Sequence, residues 1–196
     1  MATNKDNKIK YGIKNVYYAK VTETVDETGA KKYTYDAPKP LPGAKSVSLD
    51  AEGETTKFYA DNVAYYLSTT NNGYSGDLEV AYITQDFRED ILNEKVDSKG
   101  VLVENSEAGT NAFALLFQFE GDVKAVKRVL YNCTATRPGI ASETTEETKE
   151  PGTESVSLEI TPREDGLVKS QTGPDTDDET YNNWNKKVYE PTFTAV

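Results

Sequence analysis

The sequence predicts a mainly β protein: a two-sheet antiparallel β-sandwich or partial barrel with one flanking α-helix, a projecting hairpin and terminal arms. Three observations predict it. Short runs rich in β-branched and aromatic residues recur along the 196 residues, broken by turn residues about every 8 to 12 positions. Apolar and polar side chains alternate within those runs, the period of a half-buried strand. Only one stretch has clear helical spacing. The length suits one β-rich domain burying roughly 70% of its unfolded surface.

Residues 1–14 form an N-terminal arm, polar and charged over its first ten positions. Asn15 to Val25, "NVYYAKVTETV", reads as a strand; "DETGAKK" turns it back into "YTYDA". The resulting hairpin, residues 19–37, is polar on both faces, has little to bury alone and is expected to project. "PKPLPG" (Pro38 to Gly43) holds three of the eight prolines and interrupts any ladder. "SVSLDAEG", "TTKFYAD", "VAYYLSTT" and "DLEVAYI" follow as short strands. In the last, Leu78, Val80 and Tyr82 point one way and Asp77, Glu79 and Ala81 the other.

"TQDFREDIL" predicts a helix over residues 84–93, capped by Thr84, with Asp86 in its first turn and Phe87, Ile91 and Leu92 on one face. "KVDSKGVLVEN" reads as a hairpin. "NAFALLFQFEGD", with Phe113, Leu115, Phe117 and Phe119 on one face, and "VKAVKRVLYNCTATRPG" form the expected centre of the sheet. Residues 141–154, acidic and threonine-rich, read as a solvated loop. "SVSLEITPR" turns Val156, Leu158 and Ile160 inward and Ser155, Ser157 and Glu159 outward. It echoes "SVSLDAEG" over too short a span to count as a repeat. "GLVKSQTG" ends the domain of residues 15–170. Residues 171–196 are a C-terminal arm, helical or extended, with Trp184 and Tyr189 as anchors.

Composition excludes several chemistries. Acids outnumber bases 33 to 22, for a net charge of −11, a poor match to nucleic-acid phosphates. With no histidine, the commonest general base and zinc ligand are absent. The single cysteine, Cys133, precludes an internal disulfide and reads as a small buried strand residue. No signal-peptide core and no apolar run of ~20 residues is present. Asp77 with Glu79, and Glu120 with Asp122, have a spacing near that of glycosidase carboxylates, but paired acids arise by chance in so acidic a chain. Asp175 to Thr180, "DTDDET", lacks the ligand spacing of a calcium loop. "NNGYSG" lacks the Lys-Ser/Thr pair and following helix of a phosphate loop. No catalytic residue, metal ligand or cofactor is expected.

Taken in order, "KYGIKNVYYAKVTE", "PLPGAKSVSLDAEGE", "FYADNVAYY", "GYSGDLEVAYI", "FREDIL", "GVLVE", "FALLFQFEGD", "KRVLYNCTATRPG" and "ITPREDGLVKS" resemble the major tail proteins of long, non-contractile-tailed phages, the phi13-like group. The resemblance runs to about Ser170. It implies two packed sheets flanked by a helix, and homo-hexameric rings stacked into a tail tube. The tube surrounds a tape-measure protein, meets a tail terminator and a distal tail or baseplate protein, and conducts double-stranded DNA without binding it specifically. The protein would be made in the host bacterial cytoplasm, reside in the virion, and touch no membrane.

On this resemblance, acids facing the bore would repel phosphates. Asp77 and Glu79 are expected there first, then Asp50, Glu120 and Glu159. Tyr17, Tyr18, Tyr33, Tyr35, Tyr65, Tyr66, Tyr74 and Trp184 are expected at subunit contacts, which favour large amphipathic side chains. The hairpin of residues 19–37 and the N-terminal arm would find burial against a neighbouring ring. A carbohydrate-binding β-sandwich module is the rival reading, and a glycosidase a distant third.

Overall fold

The computed structural model of the protein describes residues 6–142, 144 and 151–193. Half of the acidic 141–154 stretch, residue 143 and residues 145–150, and the ends of both arms lie outside the described residues. Thirteen strands and two helices are present among those described. The main sheet runs β2 (Lys31–Tyr35), β1 (Lys10–Val25), β10 (Phe113–Gly121), β11 (Val126–Ala135), β12 (Glu154–Ile160), β7 (Gly73–Val80) and β4 (Ala44–Glu52). Two short strands join from the side: β3 (Lys39–Pro40) on β1 and β13 (Lys169–Gln171) on β11. Every pairing is antiparallel. Two separate hairpins complete the β structure: β5 (Thr55–Ala60) with β6 (Val63–Thr69), and β8 (Lys95–Val96) with β9 (Leu102–Val103). The protein is mainly β, as expected.

The sheet curls without closing, so that β4 approaches β1. The main core fills the curl. Val16 and Tyr18 of β1 join Leu78 and Val80, Val156, Leu158 and Ile160, and the Phe113–Leu115–Phe117 row. Helix α1 (Gln85–Asp90) packs into it through Phe87, with Ile91 and Leu92 just beyond. Thr84 caps α1 by accepting the Phe87 N–H at 3.3 Å, worth about 1 kcal/mol to such a short helix. The Phe87 ring meets Tyr18 and Phe113 edge-on, at 5.0 and 5.6 Å between centroids.

β10 is buried on both faces, which is why its sequence is a nearly continuous apolar run. Ala114 and Leu116 point away from the main core into a second cluster with Ala19, Val129 and Tyr131. The C-terminal arm covers that cluster. Asp177 caps α2 (Asp178–Asn183) by accepting the Thr180 N–H at 2.8 Å. Trp184 and Val188 then drop onto the sheet, Trp184 stacked on Tyr189 at 5.1 Å. The Tyr131 hydroxyl has one proton to give. It goes to the Tyr189 carbonyl at 2.8 Å, so Ser170 donates in return, also at 2.8 Å.

Three local expectations are corrected. The "PKPLPG" stretch keeps a two-residue ladder, because Pro40 and Lys39 still pair with Tyr17 and Tyr18 of β1. β7 ends at Val80, so Tyr82 escapes the alternation and lies exposed, while Ile83 turns into the core instead. Phe119 is only half-buried at the end of its row, under Lys10 and Arg128.

Cys133 is fully buried, and burial pushes its thiol up to about 12. Since the thiolate is the nucleophile, a disulfide reagent such as DTNB should leave the native thiol untouched and titrate one thiol per chain after denaturation. Prompt reaction of the native protein would show that β11 opens readily.

Candidate functional site

The outward face of β4, β7 and β12 is built almost wholly from hydroxyls and acids. Its rows follow from register. Ser46 lies opposite Glu79, which lies opposite Ser155; Ser48, Asp77 and Ser157 form the next row; Asp50, Ser75 and Glu159 the third. The two "SVSL" stretches thus flank β7 symmetrically, at 46–49 and 155–158, and both turn their serines outward around its acids. Val47 and Val156 meet Leu78 on the inward face. The short sequence echo therefore has a structural basis in shared pairing with one strand.

The acids on this face differ in how free they are. Asp77 accepts the Ser157 hydroxyl at 2.7 Å. Glu79 is tied down by Lys45 at 2.8 Å, Thr153 at 2.5 Å and Ser46 at 3.0 Å. Glu52 accepts the Ser75 hydroxyl at 2.5 Å. Asp50 and Glu159 form no ion pair among the described residues and are exposed. Glu52, Asp77, Ser157 and Glu159, with Thr134 and Thr136 of β11 and its continuation, line a groove of about 670 Å³. A surface of this kind presents negative charge and rotatable hydroxyls, with Lys45 the cation bound to its rim.

The Lys45 ammonium, then the Thr153 and Ser46 hydroxyls, hold the Glu79 carboxyl down at about 2, against an ordinary value of 4.5. A depressed folded value means that its stabilising contribution is complete above the ordinary value and lost as pH falls toward 2. Carboxyl-carbon NMR titration should therefore give a Glu79 midpoint near 2, moving toward 4.5 in Lys45→Met. An unshifted midpoint in the native protein would remove this ion pair from the face.

Glu120 does not belong to this surface. It sits at the far end of β10, where the Gln118 amide donates to it at 2.8 Å and Lys14 approaches to 3.8 Å. Lys8, Lys10 and Arg128 surround the same groove. Sequence alternation gave its strand register but not its neighbours.

The tyrosines divide sharply. Tyr18 is 1% exposed, its hydroxyl donating to Asp90 at 2.9 Å, with Lys39 on the same carboxylate oxygen at 2.6 Å. Burial first, then that hydrogen bond, raises its pKa far above 10. Trp184 is 3% exposed beneath the C-terminal arm. In the single chain both are buried in its own core clusters. Tyr17 and Tyr35 pack against the second cluster. Arg163, itself buried, reaches the Tyr35 hydroxyl at 3.0 Å, Glu190 at 2.8 Å and Asp165 at 2.6 Å, and lies over the Tyr33 ring at 4.5 Å. One guanidinium thus ties the β1–β2 hairpin, the turn after β12 and the C-terminal arm together. Tyr74 is half-buried, with Lys169 donating to its hydroxyl at 2.6 Å.

Tyr65 and Tyr66 are the exposed pair, and they mark a feature the sequence reading missed. β5 and β6 form a separate ribbon joined by Asp61 and Asn62, both with positive φ (51° and 62°), as a tight two-residue hairpin turn requires. Phe58, Tyr59, Val63, Tyr65, Tyr66 and Leu67 all lie exposed on it, Tyr65 at 73%. No ribbon residue enters either core cluster. The hairpin of residues 19–37, expected to project, is anchored at its base by Ala19, Val21 and Tyr35, and most of its remaining residues, 22–32 among them, are exposed. A signal for the ribbon was present: "KFYADNVAYYL" is apolar at both parities around a two-residue turn, so neither face is solvent-adapted.

No group of three or more acids, cysteines or histidines able to hold a metal occurs among the described residues. No helix among them is long and apolar enough to cross a membrane.

No family model matches the chain, and no curated protein does. Among solved structures, the chain is similar to the anti-feeding prophage cap, a tube terminating cap determined by cryo-electron microscopy, with 12% identity and a TM-score of 0.39. The likeness covers 88% of this chain and 99% of that one. It is too slight to carry an argument about fold or function.

Proposed function

We propose that this chain is a structural subunit of a phage tail tube: it polymerises as stacked hexameric rings, resides in the virion, and forms a conduit for double-stranded DNA. The observation that carries the reading is the β5–β6 ribbon. An isolated two-stranded hairpin is marginal in water, and this one holds six large apolar side chains outside any core. Its four aromatics alone expose on the order of 500 Å², a large part of the ~800 Å² that one partner contributes to a standard interface. Such a ribbon is completed by a neighbour. The sequence resemblance to major tail proteins supplies the kind of neighbour, further copies of the same chain.

The acid-and-hydroxyl face of β4, β7 and β12 fits the bore of such a tube. Asp50, Asp77 and Glu159 repel phosphates there. Glu79 adds less, because Lys45 neutralises it. In this reading the chain carries no catalytic step and needs no cofactor; its partners are its own copies and the tape-measure, terminator and distal tail proteins.

Negative-stain microscopy of the concentrated protein tests the proposal. Rings or hollow tubes of uniform width are expected. A fully ordered monomer that never polymerises, alone or with tail components, would overturn it, and sugar affinity of that monomer on a glycan array would turn the reading to a carbohydrate-binding module.

A further inference from the structure

A groove at the β10–β11 turn is cationic, in a chain whose net charge is −11. Asn7 builds it. Its side-chain oxygen accepts the Val123 and Lys124 N–H groups at 2.9 and 3.0 Å, and its amide donates to the Lys124 carbonyl at 2.6 Å. This pins the N-terminal segment across the turn. Lys8, Lys10 and Arg128 then line a hollow of about 240 Å³ floored by Ile9, Phe119 and Val126. Lys124, next along the turn, and Lys127 lie over the Tyr181 ring at 4.0 and 4.2 Å, with Lys127 also donating to the Tyr181 carbonyl at 2.8 Å. The nearby acids are already engaged: Asp122 accepts the Lys8 backbone N–H at 2.8 Å, and Glu120 faces Lys14. The Arg128 Nε is buried and makes no hydrogen bond among the described residues.

The acidic stretch "ASETTEETKEPGTE" (141–154), with five glutamates and one lysine, is anchored at the opposite end of the same sheet. Its upstream side leaves β11 where Thr136 bonds Ser157 and Arg137 bonds the Ala108 carbonyl at 2.7 Å. Its downstream side returns where Thr153 reaches Glu79 and Glu154 holds Arg88 at 3.2 Å. From there to the β10–β11 turn is about 11 residues of strand, roughly 36 Å. The groove and the anchor points of the segment thus lie at opposite ends of the sheet, the arrangement that lets one subunit present the segment to the groove of the next.

We propose that the cationic groove takes the acidic 141–154 segment of a second copy, so that successive subunits meet head to tail through opposite charge. This rests on the tube reading and names the contact that gives the polymer its direction. A head-to-tail contact is heterologous, the kind that propagates. One feature favours a peptide over a phosphate backbone: the apolar floor of Ile9, Phe119 and Val126.

The test mixes ¹⁴N- and ¹⁵N-labelled full-length chains, couples ammonium to carboxylate with a zero-length carbodiimide, and reads the linked peptides by mass spectrometry. Links between different labels, joining Lys8 or Lys124 to Glu146 or Glu147, are expected. Lys8→Glu with Lys124→Glu should slow assembly about tenfold at low salt, and adding Glu146→Lys with Glu147→Lys should restore it. Links confined to one label, or reversal without rescue, would overturn the inference. So would duplex-DNA binding by fluorescence anisotropy that disappears in the Lys8→Glu, Lys124→Glu chain, since the groove would then serve phosphates. Tubes that form equally fast whatever the charge at these positions overturn the inference and leave the tube reading intact. Mixed-label links in a protein that yields no tubes support the contact and overturn the tube.

Discussion

A chain carrying Phe58→Ser, Tyr65→Ser and Tyr66→Ser is expected to fold normally and to lose polymerisation. Phe58 and Tyr66 lie directly opposite each other on the ribbon, and Tyr65 takes the other face. All three are exposed and outside both core clusters. Surface changes of this kind alter folding stability by about 0.5 kcal/mol each or less. Assembly responds differently. Hiding an aromatic contributes roughly 1.5–3 kcal/mol, so three partly exposed rings supply about 5 kcal/mol per contact, or three to four orders of magnitude in affinity. Light scattering and microscopy should show monomers at concentrations where the unaltered chain forms tubes, with Tm nearly unchanged. Tubes of ordinary length from this variant would show that the ribbon is not the joint.

Phe87→Ala is expected to destabilise the fold by about 3–5 kcal/mol, a large share of the ~5–15 kcal/mol that holds a typical domain together. Phe87 is 1% exposed and is the buried residue within α1. Its ring joins Tyr18 of β1 to Phe113 of β10, so truncation opens a cavity where helix and sheet meet. Edge-on aromatic pairs contribute about 0.5–1.5 kcal/mol each beyond their buried area, and both are lost together. Thermal unfolding should shift down by about 10 °C. Phe87→Leu, which refills most of the space, should recover much of that loss. A shift of a degree or two for the alanine variant would mean that α1 contributes little to the core.

The pattern of strands was legible because alternation is a local property. β12 reads Ser155, Val156, Ser157, Leu158, Glu159, Ile160, and its burial follows that order residue by residue. The same holds for Asp77 to Val80 on β7, for the Phe113–Leu115–Phe117 row, and for the Thr84 cap, each specified within a few residues of chain. The candidate surface was legible in part. Asp77 and Glu79 share the β7 face because their spacing is two; Asp50 and Glu159 join them through register. Glu120 has the same polar parity and a different fate, because the cations around it come from the N-terminal segment and from β11.

By itself, then, the sequence determined where strands and the first helix form, which side chains share a face, and that histidine chemistry and internal disulfides are absent. Only the tertiary structure decided what covers each face. Tyr17 and Tyr18 are adjacent and equally aromatic, yet Tyr18 fills the main core while Tyr17 meets the second cluster under the C-terminal arm. Likewise Tyr65 and Tyr66 repeat that dipeptide on a ribbon where, among the described residues, they stay exposed. A residue's side of a strand is fixed by the two-residue period of the backbone. Whether that side meets helix, arm, solvent or another copy depends on strand order and sheet curl, set by partners a hundred residues away.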